Sequence, residues 1–509
     1  MSIPEDKRDP SREAAWAQAR SLKNEPPAVP SPKTGAFFAQ ELKTEQEMRR
    51  RGRRLFRIEL AATIAAMIYF GYNSQAGNAV QIYLGLGIMA LSVLPTLLWA
   101  KRARYGLPVF EVFMLTGANT YAIPMLAGRQ DIGFFGNDVI VSAGFGVILF
   151  QVVTILAYTW IPARPKRRPW WTQEVVSGRL SRWLGQGLFV TVLFSYADLF
   201  TDWIPYAYEG TIRAACFGLG IVSSFLQSRR WGQNELKKWE KILLVALLGL
   251  QAFIGSSALL LVGAISSLLL ALLGYFSSSK KIPWILIIVA FPIISLMHLG
   301  ESTMRQKYWN PDEEVARPTV AELPAFYLEW FNDGIDLQAQ KSVSANDKLL
   351  ERSSLLHLLC LVNFESPDRR PFLNGETYLQ TFELFIPRFL WADKPPGNVS
   401  TGTLAVYYGL LREADTAKTT IGFGLLAEAY ANFGFMGLAA IGFVFGAFFK
   451  KITGFSSESP ALSYAGLFMM LLMAWSFQSE DTFSLWVNSL SQACVVVFGG
   501  AFVAKAFLK

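Results

Sequence analysis

Residues 239–277 read WEKILLVALLGLQAFIGSSALLLVGAISSLLLALLGYFS. The run is about twice as long as the roughly 20 residues one helix needs to cross a bilayer. Its reading decides the fold. A break at Ser256–Ser257 makes two crossings, whereas one long helix would invert the sidedness of everything that follows.

The rest of the chain supports two crossings. The 509 residues are 52% hydrophobic and only 17% charged, below the roughly 25% of soluble domains. Apolar runs of crossing length recur at about 55–72, 78–100, 107–127, 138–161, 184–201, 210–228, 239–256, 257–277, 282–299, 424–449, 460–479 and 484–505. This pattern predicts an all-α polytopic membrane protein of about twelve transmembrane helices, because a helix satisfies its own backbone inside lipid. It excludes the roughly ten-residue alternating segments of a membrane barrel.

Lysine and arginine concentrate in alternate connections: Lys101, Arg102 and Arg104; Arg164 to Arg168; Arg229, Arg230, Lys237 and Lys238; Lys280 and Lys281; Lys450 and Lys451; Lys505 and Lys509. With the break at Ser256 these all fall on one side, which the positive-inside rule makes cytoplasmic, with both termini inside. The basic excess lies where anionic headgroups sit, so it implies the lipid bilayer as partner and not nucleic acid. Residues 1–54 read as a disordered cytoplasmic tail that closes on Arg49, Arg50, Arg51, Arg53 and Arg54, without the apolar core of a signal peptide. Residues 55–299 form a bundle of about nine spans, and 421–509 a bundle of about three. The three cysteines, Cys216, Cys360 and Cys494, give no disulfide framework.

Between the bundles lies a loop, 300–420, with 17 acidic and 12 basic residues, net −5 in a chain of net +8. Its charge and position predict an extracytoplasmic, periplasmic loop. Its apolar stretches 323–331, 355–362 and 378–391 are too short or too polar to span and suit interfacial helices.

Candidate residues cluster there. Met304-Arg305-Gln306-Lys307-Tyr308-Trp309 places cations and aromatics at an outer interface, as a phosphate-bearing headgroup or a plain aromatic belt requires. Arg352 heads an apolar helix containing His357, a base near neutral pH or a satisfied interfacial histidine. His298 is read in the bland way. Gly375-Glu376-Thr377-Tyr378 leads into Pro387-Arg388, Trp391 and Asp393-Lys394-Pro395-Pro396, where prolines stiffen the backbone around two cations. Glu428, in Ala427-Glu428-Ala429-Tyr430-Ala431-Asn432-Phe433-Gly434, is an ionisable group near membrane depth and so a functional candidate; Glu111 and Asp198 are weaker ones. Gly442-xxx-Gly446 reads as helix packing. There is no P-loop, no HExxH, no nucleophile elbow, no DxD pair and no metal-spaced His/Cys set, so neither a metal nor another cofactor is expected.

Taken in order, Met304-Arg305 with Tyr308-Trp309, Arg352, Gly375-x-x-Tyr378, Ile386-Pro387-Arg388 with Trp391 and Lys394-Pro395, and Glu428-x-Tyr430-x-Asn432-Phe433-Gly434 resemble the bacterial oligosaccharide repeat-unit polymerases, the Wzy-type O-antigen polymerases. The detailed resemblance covers about 299–446. It departs at Ala427, where a glycine is expected. It implies a metal-independent, lipid-linked glycosyltransferase in the bacterial inner membrane. The substrate would be undecaprenyl-diphosphate-linked oligosaccharide, and the product O-antigen or exopolysaccharide. A chain-length regulator and a flippase would be partners. On this resemblance Arg305, Arg352 and Arg388 would hold diphosphate with Lys394 assisting, and Glu428 or His357 would orient or deprotonate the acceptor. Tyr308, Tyr378, Trp391 and Tyr430 would contact diphosphate or glycan. An O-antigen ligase shares this layout. A transporter is the rival from another class, and predicts internal repeats with charges deep in the spans.

Overall fold

The computed structural model describes residues 32–102, 107–128, 130–162, 170–175, 178–201, 203–204, 206–259, 261–279, 284–308, 318–339, 354–386, 390–391, 393–416, 420–456 and 459–507. Helices dominate, and among the described residues the only extended pairing is an isolated bridge between Glu174 and Ser463. The first half comprises α1 (Pro32–Tyr72), α2 (Ala79–Arg102), α3 (Val109–Gly117), α4 (Ile123–Ala127), α5 (Gln130–Gly133), α6 (Asn137–Trp160), α7 (Gly178–Phe200), α8 (Tyr206–Gly232) and α9 (Lys238–Ser256). The second comprises α10 (Leu261–Ser279), α11 (Trp284–Tyr308), α12 (Leu323–Ala339), α13 (Leu356–Glu365), α14 (Glu376–Leu384), α15 (Val399–Tyr407), α16 (Gly424–Ser456), α17 (Tyr464–Trp475) and α18 (Phe483–Phe507).

Among the described residues, eight helices are long and apolar enough to cross a membrane: Gly52–Tyr72, Ala79–Lys101, Val109–Ala127, Asn137–Trp160, Leu180–Phe200, Lys238–Ser256, Gly424–Ser456 and Phe483–Val503. By length and composition the chain is a multi-pass membrane protein. The other four expected segments coincide with α8, α10, α11 and α17. α8 carries serines and a terminal Arg229–Arg230 pair, and α17 is only 12 residues long. The helix expected to reach residue 479 stops at Trp475, because Ser476 caps it and the polar run Gln478 to Thr482 follows.

Three local features depart from uniform helix. α1 begins at Pro32, so 32–54, expected as disordered tail, is helical; its Lys, Glu, Gln and Arg residues are good helix formers. The third expected span contains a π-turn, Ala118–Ala122, between α3 and α4. The wider turn presents Thr120 O sideways, where it accepts the Leu355 N–H at 3.0 Å. The run 239–277 breaks as expected: α9 ends at Ser256, the chain turns through Leu259 in the left-handed region (φ 58°), and α10 starts at Leu261.

Close helix packing builds the core. A Cβ on Gly446 would lie 2.4 Å from Thr154 O of α6, and one on Gly442 2.9 Å from Phe150 O. The Gly442-xxx-Gly446 pair therefore lets α16 and α6 touch backbone to backbone, as small residues do inside membranes. Phe113, Phe445 and Phe449 stack beside this contact, and Phe110 lies flat on Tyr158 at 3.7 Å. At the far end of the same helix pair, Lys451 donates to Pro162 O at 3.0 Å and Lys450 sits over the Tyr158 ring. The arm of α16 before the Gly434 break folds back against the arm after it: a Cβ on Gly437 would lie 2.1 Å from Ala429 O.

A second core surrounds the buried Trp330 of α12, with Met304, Leu323, Phe326 and Leu259. Trp330 Nε1 donates to Met297 O at 2.6 Å. Cβ atoms on Gly300 and Gly334 would fall 2.6 Å from Trp330 O and 2.2 Å from Leu296 O, so α11 and α12 also meet through bare backbone. Gly334→Val is expected to force them apart and lower stability by about 2–3 kcal/mol. Gly249→Ala, in the middle of α9 with nothing within 4 Å, should stabilise by about 0.5–1 kcal/mol. Thermal unfolding of the purified protein followed by size-exclusion recovery checks both signs.

Candidate functional site

α16 is broken near its start. Gly434 has φ 61° and ψ −142°, a conformation that favours glycine, and a Cβ there would also press on the Phe372 ring at 3.0 Å. The break interrupts the hydrogen-bond ladder, so the carbonyls one turn earlier need other donors. The large loop supplies them. Leu373 N–H donates to Ala431 O at 3.0 Å and Asn374 N–H to Asn432 O at 3.2 Å.

Asn432, fully buried, finishes the clamp with its side chain. Its Oδ1 accepts the Gly375 N–H at 2.9 Å. Its Nδ2 donates to Thr377 Oγ1 at 2.8 Å and to Glu428 O at 2.9 Å. Gly375 itself (φ 95°) turns the chain into α14. The Tyr378 ring then lies parallel to Phe433, with centroids 6.3 Å apart, and edge-on to Phe483 at 5.5 Å. Burial, and then the nearby Glu428 charge, push the Tyr378 phenol well above its usual range.

Glu428 is fully buried. Its Oε2 accepts the N–H of Phe483, the first residue of α18, at 2.6 Å. A carboxylate at a helix N-terminus meets both an orphan donor and the positive end of the helix dipole. The Thr377 hydroxyl faces the same carboxylate, while Oε1 has no hydrogen bond of regular geometry. Next to it, the buried hydroxyls of Ser400 and Thr401 on α15 bond Thr482 at 2.9 and 3.1 Å, and Ser400 also bonds Ser484. Glu428 therefore anchors α16, α14 and α18 in one polar knot.

Other expected residues fall in different places. The Arg305 guanidinium pairs with Glu301 and donates twice to Leu259 O, at 2.9 and 2.6 Å. Glu301 also holds His298 Nδ1 at 3.0 Å. These contacts tie α11 to the α9–α10 turn within the Trp330 core. Tyr308 donates to Glu329 at 3.4 Å, and Lys307 pairs with the same carboxylate. Lys394 donates to Leu384 O and caps the end of α14. Tyr430 is buried between Phe372 and Phe435, Trp391 is half-buried, and His357 is half-buried in the first turn of α13. Arg352, Arg388 and Trp309 lie outside the described residues. Asp198 pairs with Arg213 across α7 and α8 at 3.1 Å, and Glu111 is buried on α3. The stretch 355–362, expected at an interface, is instead inside the bundle: Leu356, Leu359, Cys360 and Val362 are fully buried, and Asn363 bonds Ser142 of α6 at 3.0 Å.

Two features were not singled out in the sequence. Asp481 lies in the turn between α17 and α18, two residues before Phe483. Burial, and then Glu480, push its carboxyl up to about 7, yet it remains partly exposed. The signal was the polar run Gln478-Ser479-Glu480-Asp481-Thr482 between two apolar helices. The other is Arg369 and Arg370, both partly exposed and bridged by Glu365 at 3.3 Å each. Arg369 lies on Phe364 at 3.7 Å, and Arg370 donates to Tyr407 O. Among the described residues, no group of three or more His, Cys, Asp or Glu could hold a metal ion.

The chain matches no protein-family model, no curated protein and no solved structure.

Asn432→Ala leaves the buried Gly375 N–H without its acceptor and takes one of two partners from the Thr377 hydroxyl. A buried group so stranded costs about 1–3 kcal/mol, so the apparent melting temperature should fall by several degrees. Asp481 sets a pH dependence. Its folded-state pKa is raised from the ordinary value of about 3.9, so the folded state binds the proton more tightly. Stability should therefore fall as pH rises from about 4 to about 7, and be level above. In Asp481→Asn this part of the slope should vanish in thermal-unfolding curves across that pH range.

Proposed function

We propose that this chain polymerises lipid-linked oligosaccharide repeat units at the outer face of a bacterial inner membrane, with undecaprenyl diphosphate as the leaving group. The observation that carries the reading is the meeting of two sequence elements some fifty residues apart. Gly375 to Tyr378 and Glu428 to Asn432, both named by the resemblance to Wzy-type polymerases, touch through Asn432 and Thr377 at one end of α16. The Lys450–Lys451 pair near the C-terminal end of α16 supports a cytoplasmic end there, and the reading keeps about twelve crossings with both termini in the cytoplasm.

In this reading the acceptor hydroxyl oxygen of one repeat unit attacks the anomeric carbon of another. The bond from that carbon to the diphosphate oxygen breaks, and the diphosphate leaves with the electron pair. The hydroxyl proton passes to a carboxylate. Asp481 suits that step better than Glu428. It is partly exposed in the turn before α18, where an acceptor hydroxyl can reach it, whereas Glu428 is enclosed and engaged with Phe483. Glu428 is then a positioning residue that fixes the α18 start, and with it Asp481. Arg352 and Arg388, with Lys394 nearby in sequence, are assigned to the departing diphosphate, where bidentate guanidinium donors offset developing charge. Arg305 is assigned to the scaffold. The chain-length regulator and the flippase remain the proposed partners.

A deletion strain complemented at matched protein levels tests the reading. The parent chain should restore long polymer. Asp481→Asn, Arg352→Ala and Arg388→Ala should leave single repeat units, with polymer reduced about 100-fold or more if a general base or a diphosphate contact is lost. Long polymer persisting in the deletion strain would overturn it. Lipid-linked polymer lacking its final acceptor would replace it with the ligase.

A further inference from the structure

α14 is built inside out. Its inward face carries Thr377, Thr381 and Leu384, all buried. Its outward face carries Leu379 at 65% and Phe382 at 70% exposure, and the apolar surface continues through Phe385 and Ile386. In water this arrangement is costly twice over. The threonines spend hydroxyls inside the protein, while a contiguous patch of large side chains loses about 25 cal/mol for every Å² left hydrated. A helix normally turns the other way.

The surroundings decide what covers the patch. Tyr378 joins α14 to Phe433 of α16 by parallel rings. From there the outward surface of α16 is also apolar: Phe433 and Phe435 are about 40% exposed and Met436 81% exposed. Phe435 and Met436 open the arm of α16 beyond the Gly434 break, in a stretch long and apolar enough to cross a membrane, so the α14 patch adjoins the end of a lipid-facing surface. With nine residues, about 14 Å of helix, α14 is too short to cross.

We infer that α14, with Phe385 and Ile386, sits as a wedge at hydrocarbon depth, its outward face against lipid acyl chains, so that the Glu428–Thr377–Asn432 knot lies directly behind a wall of Leu379 and Phe382. Backbone away from a full span is tolerated at that depth because its inner side is satisfied by protein, here through Asn432 and Lys394. The occupant of the patch is hydrocarbon, and a long lipid chain would approach the knot along this face. The inference needs only the bilayer setting of the helices and does not rest on the polymerase reading.

Spin labels on the full-length chain in lipid nanodiscs test it. Cysteines at Leu379 and Phe382 are compared with Met436→Cys on α16 and with Glu413→Cys on the exposed turn after α15, after subtracting the signal of the native cysteines. Both positions are exposed, so the substitutions remove no internal packing. Labels at 379 and 382 should match Met436→Cys, with oxygen collisions favoured severalfold over a water-soluble nickel chelate. Ratios matching Glu413→Cys would place α14 in water and overturn the inference, leaving polymerisation to be judged by its own strain assay. Low collision with both reagents would overturn it in favour of a protein cover.

Discussion

The break in α16 at Gly434 is the constraint on which the rest depends. A helix that crosses lipid cannot leave carbonyls without donors, and the interruption frees those of Ala431 and Asn432. The loop segment Leu373–Gly375 is drawn onto them, and Asn432 binds the same segment by its side chain. Once the segment is held there, Thr377 and Tyr378 are delivered to Glu428, and Glu428 in turn fixes the start of α18 through Phe483. One backbone defect thus organises three helices.

The π-turn in the third crossing works in the same way on a smaller scale. Thr120 O, turned out of the helix, receives the Leu355 N–H and seats α13 inside the bundle. The two defects together explain how a loop of this length is bound to the membrane helices: its backbone donors complete ladders that the crossings leave open. Helix pairs without such defects, as at Gly442 and Gly446 against α6, approach by shedding side chains instead.

Much of this was legible in the sequence, because hydropathy and charge act locally. The Ser256 break and the Gly442-xxx-Gly446 packing can be read from residue type and spacing, and Glu428 stands out there as an ionisable residue near membrane depth. What could not be read is how charges and backbone are spent over distance. Arg305 has the composition of a phosphate ligand, yet the left-handed turn at Leu259 exposes a carbonyl that takes its donors. Residues 355–362 look interfacial by length, but a carbonyl freed 235 residues earlier buries them. Asp481 falls in the short connection between the expected crossings 460–479 and 484–505, where a carboxylate reads as an ordinary loop residue, and only the fold shows it partly enclosed beside the start of α18. Gly434 looked like one more glycine in a membrane helix, since nothing local distinguishes a packing glycine from a break.

Amide hydrogen exchange of the purified protein in lipid nanodiscs, resolved across residues 371–379, tests the central claim most directly. If the loop completes the broken α16 ladder, the Leu373, Asn374 and Gly375 amides should exchange as slowly as those of the neighbouring helix, and Asn432→Ala should release Gly375. Exchange of all three at the rate of an open loop would contradict the account.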